Sequence, residues 1–241
     1  MQLRIVAHRG HAHRFPENST TGVEDALRCG ADDIEIDIQL TRDGVAVLYH
    51  DATLDRVSGM AGSLLDLDAT TAMQIPAGEP QRFGDQFAGV KIAPLASLCQ
   101  ILASHPSATL FAEIKEESLL HHSPSNLVAT VLEDLRPIIE RVTVISYDPE
   151  ILRLARAQGR PIGWVVRKYD DDHRQVLDEL QPDIAIVNHT KIDDVLWQGA
   201  WSWMAYEVTS AQLARSLAAQ GFRYVETMAV AALRAGLDPS P

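Results

Sequence analysis

Cysteine is nearly absent: only Cys29 and Cys99 occur in 241 residues. Two thiols are too few for a disulfide framework, and a chain of this length buries a full core without cross-links or structural metals. Cys29 falls near a predicted helix end and Cys99 inside an apolar helical pattern, so both are read as buried thiols of a reduced compartment without catalytic roles. Long apolar runs are missing too. No stretch approaches the roughly 20 residues needed to cross a bilayer, and the opening MQLRIVAHRG has neither a signal-length apolar segment nor a small-residue cleavage site. A cytoplasmic protein without stable membrane insertion is the expectation. Basic residues are scarce, 21 against 33 acidic, for a formal charge of -12. That balance disfavours nonspecific attachment to a nucleic-acid backbone. An anion can still be bound where a metal ion reverses the local potential. Finally, no Gly-rich dinucleotide fingerprint follows any candidate strand.

What is present is alternation. Short β-rich runs (LRIVAH, DDIEIDI, ATLFAEIK, RVTVIS, RPIGWVV, PDIAIV, WSWMAY and FRYVE) are separated by stretches with helical spacing. Helices are predicted over Ser19–Arg28, Asp148–Gln158 and Thr209–Gln220, closed by Gly30, Gly159 and Gly221. Eight such units in one α/β chain predict a single (β/α)₈ TIM barrel over residues 1–241, and the missing dinucleotide fingerprint favours closure over an open doubly wound sheet. After VAVLYHD the periodicity weakens for roughly forty residues rich in Gly, Pro and Gln, too long for an ordinary connection. Residues 51–93 are therefore read as a small insertion between the second strand and its helix.

The chemistry-bearing residues cluster at predicted strand ends, where barrel active sites are built. His8-Arg9-Gly10 ends the first strand and Pro16-Glu17-Asn18 precedes the first helix, with Ser19 as its cap. In Asp33-Ile34-Glu35-Ile36-Asp37, period-2 spacing puts Glu35 and Asp37 on one side of a strand. Two like charges in a confined site repel or protonate unless a cation joins them, and carboxylate oxygens suit a hard divalent ion. Asp43-Gly44 turns the chain back to deliver His50 and Asp51 beside them. Two imidazoles flanking a phosphorus centre can act as general base and general acid. Glu113 and Lys115 repeat the two-residue spacing on the third strand. A solvated, salt-bridged strand edge is the alternative at each place; convergence on three neighbouring strand ends favours a site.

These residues resemble the glycerophosphodiester phosphodiesterase family: HRG, PENS where the family has PENT, the ExD pair, the DG turn followed by HD, and EIK, in order across residues 1–115. Weaker similarity continues through ISYDPEIL and GFRYVE. The resemblance implies a (β/α)₈ barrel with an insertion after the second strand, and one divalent cation, Mg²⁺ or Ca²⁺, on Glu35, Asp37 and Glu113. It implies His8 and His50 as the acid–base pair, Arg9 and Lys115 on the phosphoryl oxygens, and Glu17 and Asn18 in or just behind the substrate site. A glycerophosphodiester would be split into an alcohol and sn-glycerol 3-phosphate, the substrate's free glycerol hydroxyl attacking phosphorus and water then opening the cyclic phosphate. The C-terminal half departs from the family pattern: Tyr206 stands where a Trp is usual, as a substrate-contacting aromatic, and Glu226 lies near the usual acidic position. Other readings are a lysophospholipase D-like enzyme, with Phe83, Phe87 and Val90 as an apolar rim, and a noncatalytic phosphodiester-binding barrel. Trp164, Trp201 and Trp203 are read as core. His11, His13, His121 and His122 near the active face are read as solvated loop residues or, alternatively, as substrate contacts or modifiers of metal preference.

Overall fold

The computed structural model describes residues 3–192 and 195–238; positions 1–2 and 239–241 of the expected 1–241 domain lie outside the described residues, as do 193–194. Nine strands form one sheet: β1 (Arg4–Ala7), β2 (Asp33–Leu40), β3 (Ala46–Leu48), β4 (Leu110–Ile114), β5 (Val142–Ser146), β6 (Ile162–Val166), β7 (Ile184–Asn188), β8 (Ser202–Tyr206) and β9 (Phe222–Thr227). Their order is β1-β9-β8-β7-β6-β5-β4-β2-β3, and an additional β1–β2 pairing closes the ring. Every pairing is parallel except β2 with β3, so eight parallel strands make the barrel and β3 hangs on β2 as the return arm of a hairpin. The (β/α)₈ architecture is the predicted one, and all eight predicted strands are found.

The period-2 alternation of each strand sorts its side chains between two cores. Ile34, Ile36 and Ile38 face outward into the large cluster shared with the helices. Val6, Phe111, Ile145, Val165, Ile186 and Met204 fill the lumen. Glu35, Asp37 and Glu113 alternate with outward residues and share the lumen side. Trp164, Trp201 and Trp203 belong to the outer cluster, as predicted.

The surrounding helices are α1 (Thr20–Arg28), α5 (Ser97–Ala103), α6 (Pro124–Asp134), α7 (Pro149–Ala157), α8 (Asp171–Leu180), α9 (Ala211–Gln220) and α10 (Val230–Leu237). Side-chain caps fix where they begin: Ser19 accepts from the Gly22 amide, and Asp148 from those of Glu150 and Ile151. Helix α9 starts two residues later than predicted, because Ser210 is its cap and accepts from Leu213 N. Between β3 and α5 the chain makes the short helices α2 (Asp55–Ser58), α3 (Ala69–Ala72) and α4 (Pro80–Phe83). This excursion has a core of its own, built on Val47, Tyr49, Leu54, Val57, Leu64 and Ile75. Phe87 meets Phe83 edge-on at 5.0 Å and Phe15 of the β1–α1 loop at 5.6 Å, which ties the excursion to the barrel mouth. The thiols are half-buried instead of buried: Cys29 Sγ lies 3.6 Å from Asp25 and Cys99 Sγ 3.3 Å from the Asp134 carbonyl.

At the opposite end of β2, Asp33 is a structural bolt. Its carboxylate takes a fork from Arg4, Nε at 2.7 Å and Nη2 at 2.6 Å, and also accepts from Thr109 N at 2.9 Å. It thereby joins β1, β2 and the start of β4. Asp33→Ala should lower stability by about 2–3 kcal/mol, the range for charge-assisted bonds in a pair whose Arg4 side is partly solvated. Urea unfolding checks this; a loss below about 0.5 kcal/mol would place the pair among ordinary surface ion pairs.

Candidate active site

His8 follows the last residue of β1, and its amide donates to Thr227 O at 3.0 Å, so β9 sets its height. The chain then turns through left-handed backbone at Arg9 (φ 57) and Gly10 (φ 78). Only glycine suits the second position, since a Cβ there would stand 2.8 Å from Gly22 C and 2.9 Å from Val23 N. The turn aims the Arg9 amide at Glu35 Oε2, 2.9 Å away. Its guanidinium reaches Asp37 Oδ2 at 3.0 Å and Glu17 Oε1 at 3.1 Å.

Glu35, Asp37 and Glu113 each offer an oxygen within 4.8 Å of the others. Asn18, also left-handed (φ 54), brackets Asp37 from both sides: its Nδ2 donates to Oδ2 at 2.9 Å and its Oδ1 accepts the Asp37 amide at 3.1 Å. Lys115 Nζ lies 2.9 Å from Glu113 Oε1 and 3.5 Å from Asp37 Oδ1. Across the mouth the β2–β3 hairpin returns His50, whose Nδ1 is 2.5 Å from Asp51 Oδ1. Gln39 fixes that return by donating to the carbonyls of His50 and Asp51 at 2.8 and 2.7 Å.

His8, Arg9, His50, Glu113, Lys115 and Tyr206 line one cavity of about 330 Å³ at the C-terminal mouth of the barrel. Glu35 and Asp37, each 1% exposed, are not in its wall but buried within reach of Glu113, which is. Glu17 and Asn18 are not in the cavity wall; they are buried behind it, holding Arg9 and Asp37. The wall also contains Tyr147, Asn188, Lys191 and Glu207, which lie outside the sequence-derived set, and Glu226, which the resemblance puts near the family's usual acidic position. All stand at or just past the C-terminal ends of β5, β7, β8 and β9, so strand-end position would have flagged the first four, where the family resemblance beyond residue 115 is weak. The reading of His11 needs correction. It is 1% exposed, its Nδ1 pairs with Asp25 at 2.6 Å, and it anchors the β1–α1 loop onto α1. His13 and His121 are exposed; His122 meets the Thr41 carbonyl at 2.8 Å. None of the three enters the cavity.

The electrostatics are those of a site arranged for a cation. Burial, then neighbouring Asp37, Glu226 and Glu113, push the Glu35 carboxyl well above the usual carboxylate range. Burial also raises Glu113, and burial with Glu113 nearby raises Glu226 to about 8. Asp37 goes the other way: burial opposes ionisation, but Arg9 and Lys115 hold it below the usual range. One buried Glu35 oxygen, Oε1, has no hydrogen-bond partner. A hard divalent ion fits this donor set, because it would engage the orphaned oxygen and relieve the mutual repulsion of the carboxylates. His8 is held neutral, its pKa lowered to about 3 by burial and by the Arg9 charge.

Fold and site together define a TIM barrel with an acidic, metal-competent centre and two imidazoles at its catalytic mouth. Residues 8–227 match the glycerophosphoryl diester phosphodiesterase family, and the chain belongs to it. A glycerophosphodiester phosphodiesterase of Caldanaerobacter subterraneus is 31% identical over 153 residues, 64% of this chain and 61% of that protein. The human glycerophosphodiester phosphodiesterase 1 is 27% identical over 67% of this chain and 47% of its own length. The matched stretch thus spans less than two thirds of either relative. An Oleispira antarctica phosphodiesterase, solved with the product sn-glycerol-3-phosphate, superposes with a TM-score of 0.85 at 20% identity, covering 98% of this chain and 97% of that one. None of the helices among the described residues is long and apolar enough to cross a membrane.

Proposed function

We propose that this protein hydrolyses glycerophosphodiesters to an alcohol and sn-glycerol 3-phosphate, using one Mg²⁺ or Ca²⁺ on Glu35, Asp37 and Glu113 and the imidazoles of His8 and His50. The observation that carries the reading is the convergence of three carboxylate oxygens within 4.8 Å of one another, one of them from Glu113 in the wall of the cavity that His8 and His50 also line. The product named for the Oleispira structure and the names of the relatives supply the substrate class. A bound cation would neutralise charge building on the phosphoryl oxygens and acidify an oxygen attached to it.

The chain's own residues divide the remaining work. Lys115 and Arg9 line the cavity and attract the diester's nonbridging oxygens, with Glu17 holding Arg9 and Asn18 holding Asp37. His8, neutral and in the cavity wall, accepts the proton of the attacking hydroxyl. His50 is tied through Nδ1 to Asp51, which leaves Nε2 to protonate the departing alcohol. Tyr206 and Tyr147 form an aromatic wall for the organic part of the substrate, with Asn188 and Glu207 beside them.

The test is release of glycerol 3-phosphate from glycerophosphocholine and glycerophosphoethanolamine with Mg²⁺ or Ca²⁺. EDTA should abolish release and either ion should restore it. A rate that survives complete metal removal would sink the cation assignment, and no release from any glycerophosphodiester would sink the substrate class.

A further inference from the structure

We infer that Arg56, on helix α2 of the excursion, is a positioning residue that holds His50 and Arg9 in register through two shared carboxylates. The inference rests on the functional reading above for what His50 and Arg9 do, and on geometry of its own. The Arg56 fork closes on Glu17, Nη1 to Oε2 at 2.7 Å and Nη2 to Oε1 at 2.6 Å. The same guanidinium closes on Asp51, Nε to Oδ2 at 2.6 Å and Nη2 to Oδ1 at 2.9 Å.

Each carboxylate then passes the constraint inward. Asp51 Oδ1 is also the partner of His50 Nδ1 at 2.5 Å, and Glu17 Oε1 is also the partner of Arg9 Nη1 at 3.1 Å. Histidine and arginine stand on different strand ends, the β2–β3 hairpin and β1, and one planar group spans the gap. Only a guanidinium presents its donors in a fixed plane that can engage two carboxylates at once; an ammonium on a lysine stem is a single point charge.

The carboxylates differ in how much they need this clamp. Glu17 has a 4% exposed side chain and is held by Arg9 as well, whereas Asp51 is 21% and His50 30% exposed. Without Arg56, water competes for Asp51, its plane is no longer fixed, and the His50 ring loses its orientation. Arg56 also explains why a segment with no residue in the cavity wall is built beside it: the excursion carries the brace.

Arg82 supplies a matched control. It too is an excursion arginine, 40% exposed against 41% for Arg56, and it holds Glu79, whose Oε1 accepts the Glu17 amide at 2.7 Å. It touches neither His50 nor Arg9. The experiment compares Arg56→Ala and Arg82→Ala in the full-length protein with Mg²⁺, reading kcat and KM for glycerophosphodiester hydrolysis and the His50 ring tautomer from ¹⁵N shifts. Arg56→Ala should lower kcat by about 10- to 100-fold, the scale on which misplaced catalytic groups cost rate. It should also convert the Nδ1–H tautomer that the Asp51 contact favours in the neutral His50 ring into a mixture. Arg82→Ala should lower Tm by a similar amount and leave both readouts within about twofold of wild type.

Arg56→Ala that keeps the wild-type tautomer overturns the inference at any rate, and so does an altered tautomer with unchanged kcat. Arg82→Ala reproducing the loss of kcat and tautomer also overturns it, because general loosening of the excursion would then suffice. If Arg56→Ala does not fold, Arg56→Lys takes its place in both measurements, since lysine keeps the charge without the two-sided clamp. A wild type without turnover counts against the functional reading alone, and the tautomer then decides the positioning role.

Discussion

Glu35→Gln should cut turnover by roughly 10³-fold, about 4 kcal/mol in the barrier, and weaken Mg²⁺ or Ca²⁺ binding with it. Glutamine keeps the shape and can still accept the Arg9 amide, so the barrel loses little packing. What disappears is a charge in a place that water does not reach. The same substitution should raise the melting temperature of the metal-free protein, because Glu35 ionises there against burial and against Asp37, Glu226 and Glu113. The sign follows from linkage. A carboxyl whose folded pKa lies above its unfolded value binds extra protons when folded, so its contribution is most favourable at low pH and is lost as pH rises. Between the ordinary glutamate range, near ~4.3, and the value of about 8 for Glu226, metal-free wild type should lose stability, and Glu35→Gln should lose less. Calorimetry of both proteins across that window, with and without the ion, separates the two effects. Wild-type activity in Glu35→Gln would remove the cation from the proposed site.

His8→Ala and His50→Ala should each lower kcat by about 10²- to 10⁴-fold, the usual contribution of one general acid or base. KM should change little, and the double variant should be far less than multiplicative, because the two rings act in one proton cycle. The substrates separate their roles. A p-nitrophenyl leaving group needs no protonation, so His50→Ala should recover most of its rate on such a diester, while His8→Ala stays impaired. Recovery in His8→Ala instead would exchange the two assignments, and full activity in both variants would end the imidazole mechanism.

The barrel was legible because its signal is repeated. Eight apolar runs of similar length, with caps such as Ser19 and Asp148 and terminators such as Gly159, leave little freedom for another architecture. Period-2 spacing was enough to place Glu35 and Asp37 on one face, and Asp43-Gly44 to return His50 to them. What local pattern does not carry is the direction of a contact between distant segments. His11 looked like one more loop histidine beside HRG, because nothing nearby announces that Asp25, a helix away, closes on it. Glu207 and Asn188 join the wall only through the β7–β8 pairing, and Asn188 Nδ2 donates to Glu207 Oε2 at 2.8 Å. Arg56 sits in the stretch with the weakest periodicity, where spacing gives no hint that a fork reaches back to Glu17. Those contacts are tertiary, and only the closed ring makes them.

The closing seam has a consequence for the order in which the site assembles. Strand β1 emerges first from the ribosome, yet its longer partnership is with β9, from Arg4 against Tyr224 to Ala7 against Thr227, while β2 meets it at only two positions. His8 is seated by the carbonyl of Thr227, and Glu226 comes with the same late strand. A nascent chain therefore carries His8, Glu35, Asp37, His50 and Glu113 early but cannot seat His8 among them until β9 has been made, a long-range closure of the kind that slows folding. A product that stops short of β9 should lack both the seat of His8 and the Glu226 carboxylate of the cavity wall.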